Sequence, residues 1–385
     1  MIKPANRVNN VTEYYFSTKL REIGKRNALG DNIINLGIGS PDLLPSNSTL
    51  ETLSLEITKP DAHGYQPYKG IDELREAFTG WYKNKFEVSL NPDTEILPLI
   101  GSKEGILHIS MAFLNPGDKV LIPDPGYPTY SSVSKLVGAE AITYELQPEL
   151  NWFPDLEKLK KLKLEEVKLM WVNYPNMPTG ASIDKVSFEK LIAFAKENKI
   201  VICNDNPYSF ILNEHPLSIL SIEGAKDIAI ELNSLSKSHN MAGWRIGMLA
   251  SNPTFIQHIL KVKSNMDSGI FKPLQKAAVS ALNSPGSWYK DLNTEYAQRQ
   301  KIAFEMLDHL KCEYQKDQVG MFAWAQIPDS VASSESLSEQ ILNQAKVFIT
   351  PGFIFGKQGE RYLRISLSNS QEKLALAKSR IIKNI

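Results

Sequence analysis

Lys237 stands in Ser234-Leu235-Ser236-Lys237-Ser238, directly after the apolar run Ile228 to Leu232, and Gly243-Trp244-Arg245-Ile246-Gly247 follows with its arginine eight positions beyond the lysine. Hydroxyls and an arginine donate charge-assisted hydrogen bonds to an anion such as phosphate. A lysine partly desolvated beside another cation gives up its proton and becomes a nucleophilic amine. The segment therefore suits a phosphate and a carbonyl bound side by side. A serine-lysine loop alone is a common surface feature, but loops seldom spend a tryptophan and two glycines around one arginine.

Three other places carry comparable chemistry, each following an apolar run of strand length. Gly101-Ser102-Lys103-Glu104-Gly105 leads into a helical pattern through Ile106, Ile109 and Phe113, and free backbone N–H groups at such a helix start receive phosphate. Pro125-Gly126-Tyr127-Pro128 fixes an aromatic ring at a rigid turn, where a flat heteroaromatic ring could stack. Asn204-Asp205-Asn206-Pro207-Tyr208 supplies a carboxylate for a protonated ring nitrogen and a phenol one turn away. In an open parallel sheet, ligands bind beyond the carboxyl ends of the strands, which is where all four segments fall. Together they offer a phosphate cradle, a stacking ring, a pyridinium partner and an amine, the set that pyridoxal phosphate requires.

The elements that must position these residues read as alternating strands and helices. Candidate strands are Ile96 to Ile100, Lys119 to Ile122, Ala141 to Leu146, Lys168 to Val172, Ile200 to Cys203, Ile228 to Leu232 and Gly247 to Ala250, with a helix whose buried stripe is Phe188, Leu191, Ile192 and Ala195. This alternation predicts an α/β fold with a mostly parallel seven-stranded sheet flanked by helices. After Ser284-Pro285-Gly286 a long helical pattern begins, and Met321 to Ile327, Val347 to Ile349 and Tyr362 to Leu367 read as strands of a smaller α+β domain. The expected division is residues 1–44 as a segment packing on the small domain and a partner, 45–284 as the large domain, and 285–385 as the small one. A chain of 385 residues exceeds one comfortable core, which agrees with two domains.

Composition narrows the setting. Forty-three basic residues balance 43 acidic ones, so no net field favours nucleic acid or an anionic membrane, and any anion site must be local. Two cysteines far apart make neither a metal set nor a disulfide framework, and the N-terminus lacks an apolar signal core. A soluble protein of the reducing cytoplasm is expected. The six histidines show no ligand spacing, so no metal is expected, and His239 is expected at a surface or a helix start.

In order and spacing, Asn176-Met177-Pro178-Thr179-Gly180, Asp205 to Tyr208, Ser234-x-Ser236-Lys237, Gly243-Trp244-Arg245-x-Gly247 and Arg361-Tyr362-Leu363-Arg364-Ile365-Ser366 resemble the class I and II aminotransferases among the fold type I pyridoxal phosphate enzymes. The likeness runs from about Asn35 to the C-terminus, and several elements look like the branch containing LL-diaminopimelate and methionine-type aminotransferases. It implies an aspartate-aminotransferase-like large domain. It also implies that Lys237 forms a Schiff base with the cofactor and shuttles the Cα proton, that Asp205 keeps the pyridine nitrogen protonated, that Tyr208 donates to the phenolic oxygen and that Tyr127 stacks on the ring. Backbone N–H groups of Ser102 and Lys103, with Ser234, Ser236 and Arg245, would hold the phosphate. Arg364 would grip the substrate carboxylate, Gly39 would let backbone approach it, and Tyr65 would reach the phosphate of a neighbouring subunit, making a homodimer the active unit. One position departs: the family usually has asparagine before Pro-Thr-Gly, to bond the phenolic oxygen, and here it is Met177, so either Asn176 reaches over by a local shift or Tyr208 alone makes that contact. The implied activity moves an amino group from an L-amino acid to a 2-oxo acid. A C–S β-lyase and a non-catalytic cofactor-binding domain are the alternatives; a Rossmann dehydrogenase lacks its glycine fingerprint.

Overall fold

The computed structural model describes residues 2–11, 13 and 15–385. Its strands are β1 (Ile34–Asn35), β2 (Ile96–Leu99), β3 (Lys119–Asp124), β4 (Glu140–Glu145), β5 (Val167–Val172), β6 (Val201–Asp205), β7 (Ala229–Ser234), β8 (Gly247–Ala250), β9 (Phe322–Gln326), β10 (Val347–Phe348), β11 (Thr350–Pro351) and β12 (Tyr362–Ser366). Strands β2 to β8 form one seven-stranded sheet in the order β2-β8-β7-β6-β5-β3-β4. All seven predicted strands lie in it.

The sheet is apolar on both faces because alternate residues of one strand serve different cores. Leu169 and Trp171 of β5 pack on one side, while Met170 and Val172 pack on the other. That pattern requires helices on both faces and explains the near-continuous apolar runs. Ser102–Phe113 is one such helix, burying Ile106 and Ile109, and Lys185–Asn198 is another, started by the Asp184 carboxylate accepting from Ser187 N.

Pairing is parallel throughout except at β8, which runs antiparallel to both neighbours, β2 and β7. The C-terminal ends of β2, β3, β5, β6 and β7 therefore share one edge of the sheet with the N-terminal end of β8. Arg245, two residues before β8, thereby arrives at the edge where Lys237 leaves β7.

A second, antiparallel sheet has the order β11-β12-β9, and β1 pairs parallel with β10, matching Ile34 to Val347. The helix Tyr15–Ala28 is tied to the helix Ser334–Gln344 by Lys19–Glu339 at 2.6 Å and by Arg26 Nη1 donating to Asn343 at 3.0 Å. These two bonds join the N-terminal helix to a helix of the C-terminal third of the chain. Cys203 and Cys312 are both free and buried. Among the described residues, no helix is long and apolar enough to cross a membrane.

Candidate active site

A cavity of about 450 Å³ opens at the shared strand edge, and its lining includes Gly39, Ser102, Lys103, Tyr127, Asp205, Tyr208, Ser234, Ser236, Lys237, Arg245 and Arg364. Eleven of the thirteen predicted site residues thus meet in one place. The other two, Asn176 and Tyr65, do not line it.

Lys237 lies in the four-residue helix Leu235–Ser238, started by Ser234, whose Oγ accepts from Ser236 N at 3.1 Å. Its Nζ donates to the carbonyl of Gly39. Burial, helped by the positive charges of Arg364 and Arg245, pulls the ammonium down to about 8, so a minority of the amine is already neutral near physiological pH.

Asp205 ends β6 and is buried. Its Oδ2 accepts from the Tyr130 hydroxyl at 3.0 Å, while Oδ1 has no hydrogen-bond partner among the described residues. Burial pushes the carboxyl up to about 6, and the Tyr130 hydrogen bond opposes that rise. A buried acceptor without a partner is costly unless a ligand satisfies it. A protonated ring nitrogen would do so.

The phosphate end is built from backbone. Gly101 precedes the helix Ser102–Phe113 with φ 80° and ψ 157°, a conformation essentially confined to glycine. A Cβ there would stand 2.1 Å from Arg245 Nη2, so the missing side chain is what lets the guanidinium lie against the helix start. Arg245 itself has φ 60° and donates from Nη1 to Ala242 O at 2.9 Å. Helix N–H groups, Ser234, Ser236 and Arg245 make a donor set for a phosphate dianion. With an orphaned acceptor at one end, this donor set at the other and an amine beside them, the residues present fit pyridoxal phosphate.

Arg364 donates from Nη2 to Gly37 O at 2.6 Å and from Nη1 to Met177 Sδ at 3.2 Å. Its guanidinium lies 4.0 Å from the Phe322 ring centre, 4.6 Å from Phe355 and 5.6 Å from Phe16. Gly37 and Gly39 thus offer their carbonyls to Arg364 and Lys237, and a Cβ on Gly39 would strike the Phe322 ring at 2.3 Å.

Asn176 corrects the sequence-based expectation. Its amide is spent inside its own turn, accepting from Thr179 Oγ1 at 2.7 Å and donating to Asn173 O at 3.2 Å, so it does not replace the missing asparagine at 177. The amide that does line the cavity is Asn173, which donates to the Asp205 carbonyl and accepts from Met177 N at 2.8 Å. Asn173 directly follows β5, so the rule that singled out the other strand ends points to it as well. Tyr130 was also missed; its signal is the three-residue spacing from Tyr127 on a helix. His239 is not at a surface: it is buried, bonded to Ser238 Oγ at 2.9 Å and Tyr289 OH at 3.1 Å, and burial lowers it to about 3. Glu104 and His108, one helical turn apart, and the distant Asp267 bring their ligand atoms within 4.8 Å of one another, and Lys263 Nζ already holds Asp267 at 2.5 Å.

This fold and site define a fold type I enzyme. The family model for aminotransferase class I and II matches residues 31–381, and the chain belongs to that family; it is an aminotransferase. It is 39% identical to the LL-diaminopimelate aminotransferase of Natranaerobius thermophilus over 382 residues, 99% of each chain. Among solved structures it is similar to substrate-bound BacF from Bacillus subtilis, with TM-score 0.94, 35% identity and coverage of 100% of this chain and 98% of that one. It is also similar to the aromatic aminotransferase of Pyrococcus horikoshii OT3, with TM-score 0.87, 30% identity and coverage of 94% and 98%.

Proposed function

We propose that this aminotransferase carries pyridoxal phosphate on Lys237 and moves the amino group of an L-amino acid to a 2-oxo acid, as a cytoplasmic homodimer. The observation that carries the reading is the buried Asp205, whose Oδ1 has no partner, in one cavity with a lysine whose ammonium burial and two arginines depress. Bound pyridoxal phosphate supplies an aldehyde and a ring that accepts the electron pair left when Cα loses its proton.

The chain's own residues do the rest. Asp205 accepts from the ring N–H and keeps that nitrogen protonated. Ser234, Ser236, Arg245 and the backbone N–H groups of Ser102 and Lys103 hold the phosphate; Tyr127 covers the ring, and Tyr208 donates to its phenolic oxygen. Lys237 would hold the cofactor through Nζ, and the same amine would take the Cα proton and return it. Arg364 binds the α-carboxylate, replacing its bond to Gly37 O, and Gly39 lets the backbone come close. A guanidinium with two parallel N–H groups fixes a carboxylate better than an ammonium does.

Tyr65 is 92% exposed and lines no part of its own chain's cavity, which supports a role in a partner's site. The large domain is assigned to residues 45–284 and the small one to 285–385, with 1–44 packing on the latter. The relatives' names span LL-diaminopimelate and aromatic amino acids, two chemically distant classes.

Borohydride reduction of the purified holoprotein followed by peptide mass analysis is expected to leave a pyridoxyl tag on Lys237. An amino-acid donor mixed with the enzyme should bleach the cofactor's visible band, and 2-oxoglutarate should restore it. A tag on another lysine, or no tag, ends this reading.

A further inference from the structure

The charged groups of the cavity are all accounted for by its chemistry. Among the described residues, its cations are Lys103, Lys237, Arg245 and Arg364, and its one carboxylate is Asp205. Lys103 and Arg245 stand at the phosphate end, Lys237 is the amine and Arg364 takes the α-carboxylate. What remains beside Arg364 is Phe16, Leu20, Ile38 and Phe322, with the Ser17 hydroxyl between the first two.

The rings are organised around the arginine. Phe322 and Phe355 lie against the guanidinium and Phe16 approaches from the helix Tyr15–Ala28. Tyr15 extends the belt by meeting the Phe353 ring edge-on at 5.6 Å. Phe16 and Leu20 are one helical turn apart, so one face of that helix presents both to the cavity. Tyr65, assigned above to the partner's site, adds a further ring.

We infer that the amino donor of this enzyme has an apolar or aromatic side chain, and that Phe16, Leu20, Ile38 and Phe322 form the pocket that receives it. The inference rests on the cofactor and Arg364 assignments proposed above. A side chain ending in a carboxylate or in a second amino-acid group would find no ion partner there among the described residues of this chain that line the cavity, beyond those already assigned. A phenyl or branched alkyl group loses nothing and gains contact area. The donor inferred here thus differs from the one in the names of the LL-diaminopimelate relatives.

Two measurements on the holoenzyme test this. In single-turnover half-reactions, L-phenylalanine, L-leucine and L-methionine are expected to bleach the cofactor band with efficiencies at least about tenfold above those of LL-diaminopimelate and L-aspartate, the scale on which an apolar pocket discriminates. Calorimetric titration with unreactive carboxylates should rank 3-phenylpropanoate and 4-methylpentanoate above succinate by a similar factor. Leu20→Arg places a cation at a partly exposed position of the pocket and should raise L-glutamate relative to L-leucine by about tenfold or more. Faster bleaching by LL-diaminopimelate or L-aspartate, or a donor ranking unmoved in Leu20→Arg, overturns the pocket assignment while leaving the aminotransferase intact. Absence of bleaching with every donor overturns both, and is distinguished by the missing spectral change.

Discussion

The hydroxyl of Tyr130 donates to Oδ2 of Asp205 across 3.0 Å, and behind it the Tyr130 ring lies parallel to Trp171 at 5.1 Å. The tyrosine is thereby fixed by packing, lines the cavity and holds the aspartate in place. Removing a hydrogen bond to a buried carboxylate costs about 1.5–3 kcal/mol in that interaction. In Tyr130→Phe the Asp205 carboxyl should rise further above 6, since the lost bond is the one that lowered it. We expect kcat to fall about tenfold with little change in KM, and the acidic limb of the pH profile to move to higher pH. A limb that stays in place would show that Tyr130 only fills space.

Asp205 also carries a cost for the apoprotein. The folded state keeps its proton up to about pH 6, whereas the carboxyl ordinarily titrates near 3.8. Between those values the folded state binds more protons than the unfolded one, so this contribution to stability is lost as pH rises through the window and stays lost above it. Asp205→Asn should therefore stabilise the apoprotein at pH 7.5 by on the order of 2 kcal/mol while lowering turnover of the holoenzyme roughly a hundredfold or more. Thermal melts of both apoproteins from pH 5 to 8 check the sign: the gap must narrow toward pH 5.

Lys237 titrates in the opposite sense. With its ammonium drawn down to about 8, the neutral amine that captures an aldehyde becomes dominant above that pH. The rate at which apoprotein takes up pyridoxal phosphate should rise with pH around a midpoint near 8. After burial, Arg364 is the larger of the two charges that depress it, so Arg364→Met should move that midpoint upward by a measurable fraction of a unit. Stopped-flow absorbance over pH 6.5 to 9.5 reads both proteins, and coincident midpoints would refute the electrostatic link.

The sheet was legible because its strands are buried on both faces and therefore stand out as apolar runs, each followed by polar residues at the ligand edge. Direction was not legible at β8: Gly247–Ala250 is too short to declare that it runs backwards, yet that reversal is what brings Arg245 to the site. Asn173 was open to discovery as the first polar residue after β5, but the Pro-Thr-Gly motif drew attention to Asn176, whose amide is consumed locally. Tyr130 was hidden because its importance lies in a hydrogen bond to a residue 75 positions away. The Glu104–His108 pair sits one helical turn apart and could be guessed; Asp267, which joins it, could not.

Gly101 gives a test of the phosphate end. Alanine there would have to hold φ near 80° and would place its methyl 2.1 Å from Arg245 Nη2. The backbone strain alone is of order 1–3 kcal/mol. The guanidinium would be driven from the helix start, so we expect cofactor affinity in Gly101→Ala to drop ten- to a hundredfold, with turnover at saturating cofactor within a few fold of native. Equilibrium dialysis against pyridoxal phosphate, paired with assays over a cofactor series, separates the two effects. Unchanged affinity would remove Arg245 from the phosphate site.

Met177 offers the last test, because its thioether stands where the family usually has an amide. The sulfur takes a hydrogen bond from Arg364 Nη1 at 3.2 Å, and thioether sulfur is a weak acceptor with no proton to give. Arg364 is thereby held, but the cofactor's phenolic oxygen receives nothing from position 177. In Met177→Asn the amide oxygen can take over the Arg364 contact while its N–H₂ donates to the phenolic oxygen. A donor to an anionic oxygen is worth about 1–3 kcal/mol, or roughly one to two pKa units. The midpoint of the cofactor's visible absorbance against pH should fall by about one unit in Met177→Asn, with the activity optimum moving the same way. Superimposable titration curves for the two proteins would mean that Tyr208 alone sets the tuning of that oxygen.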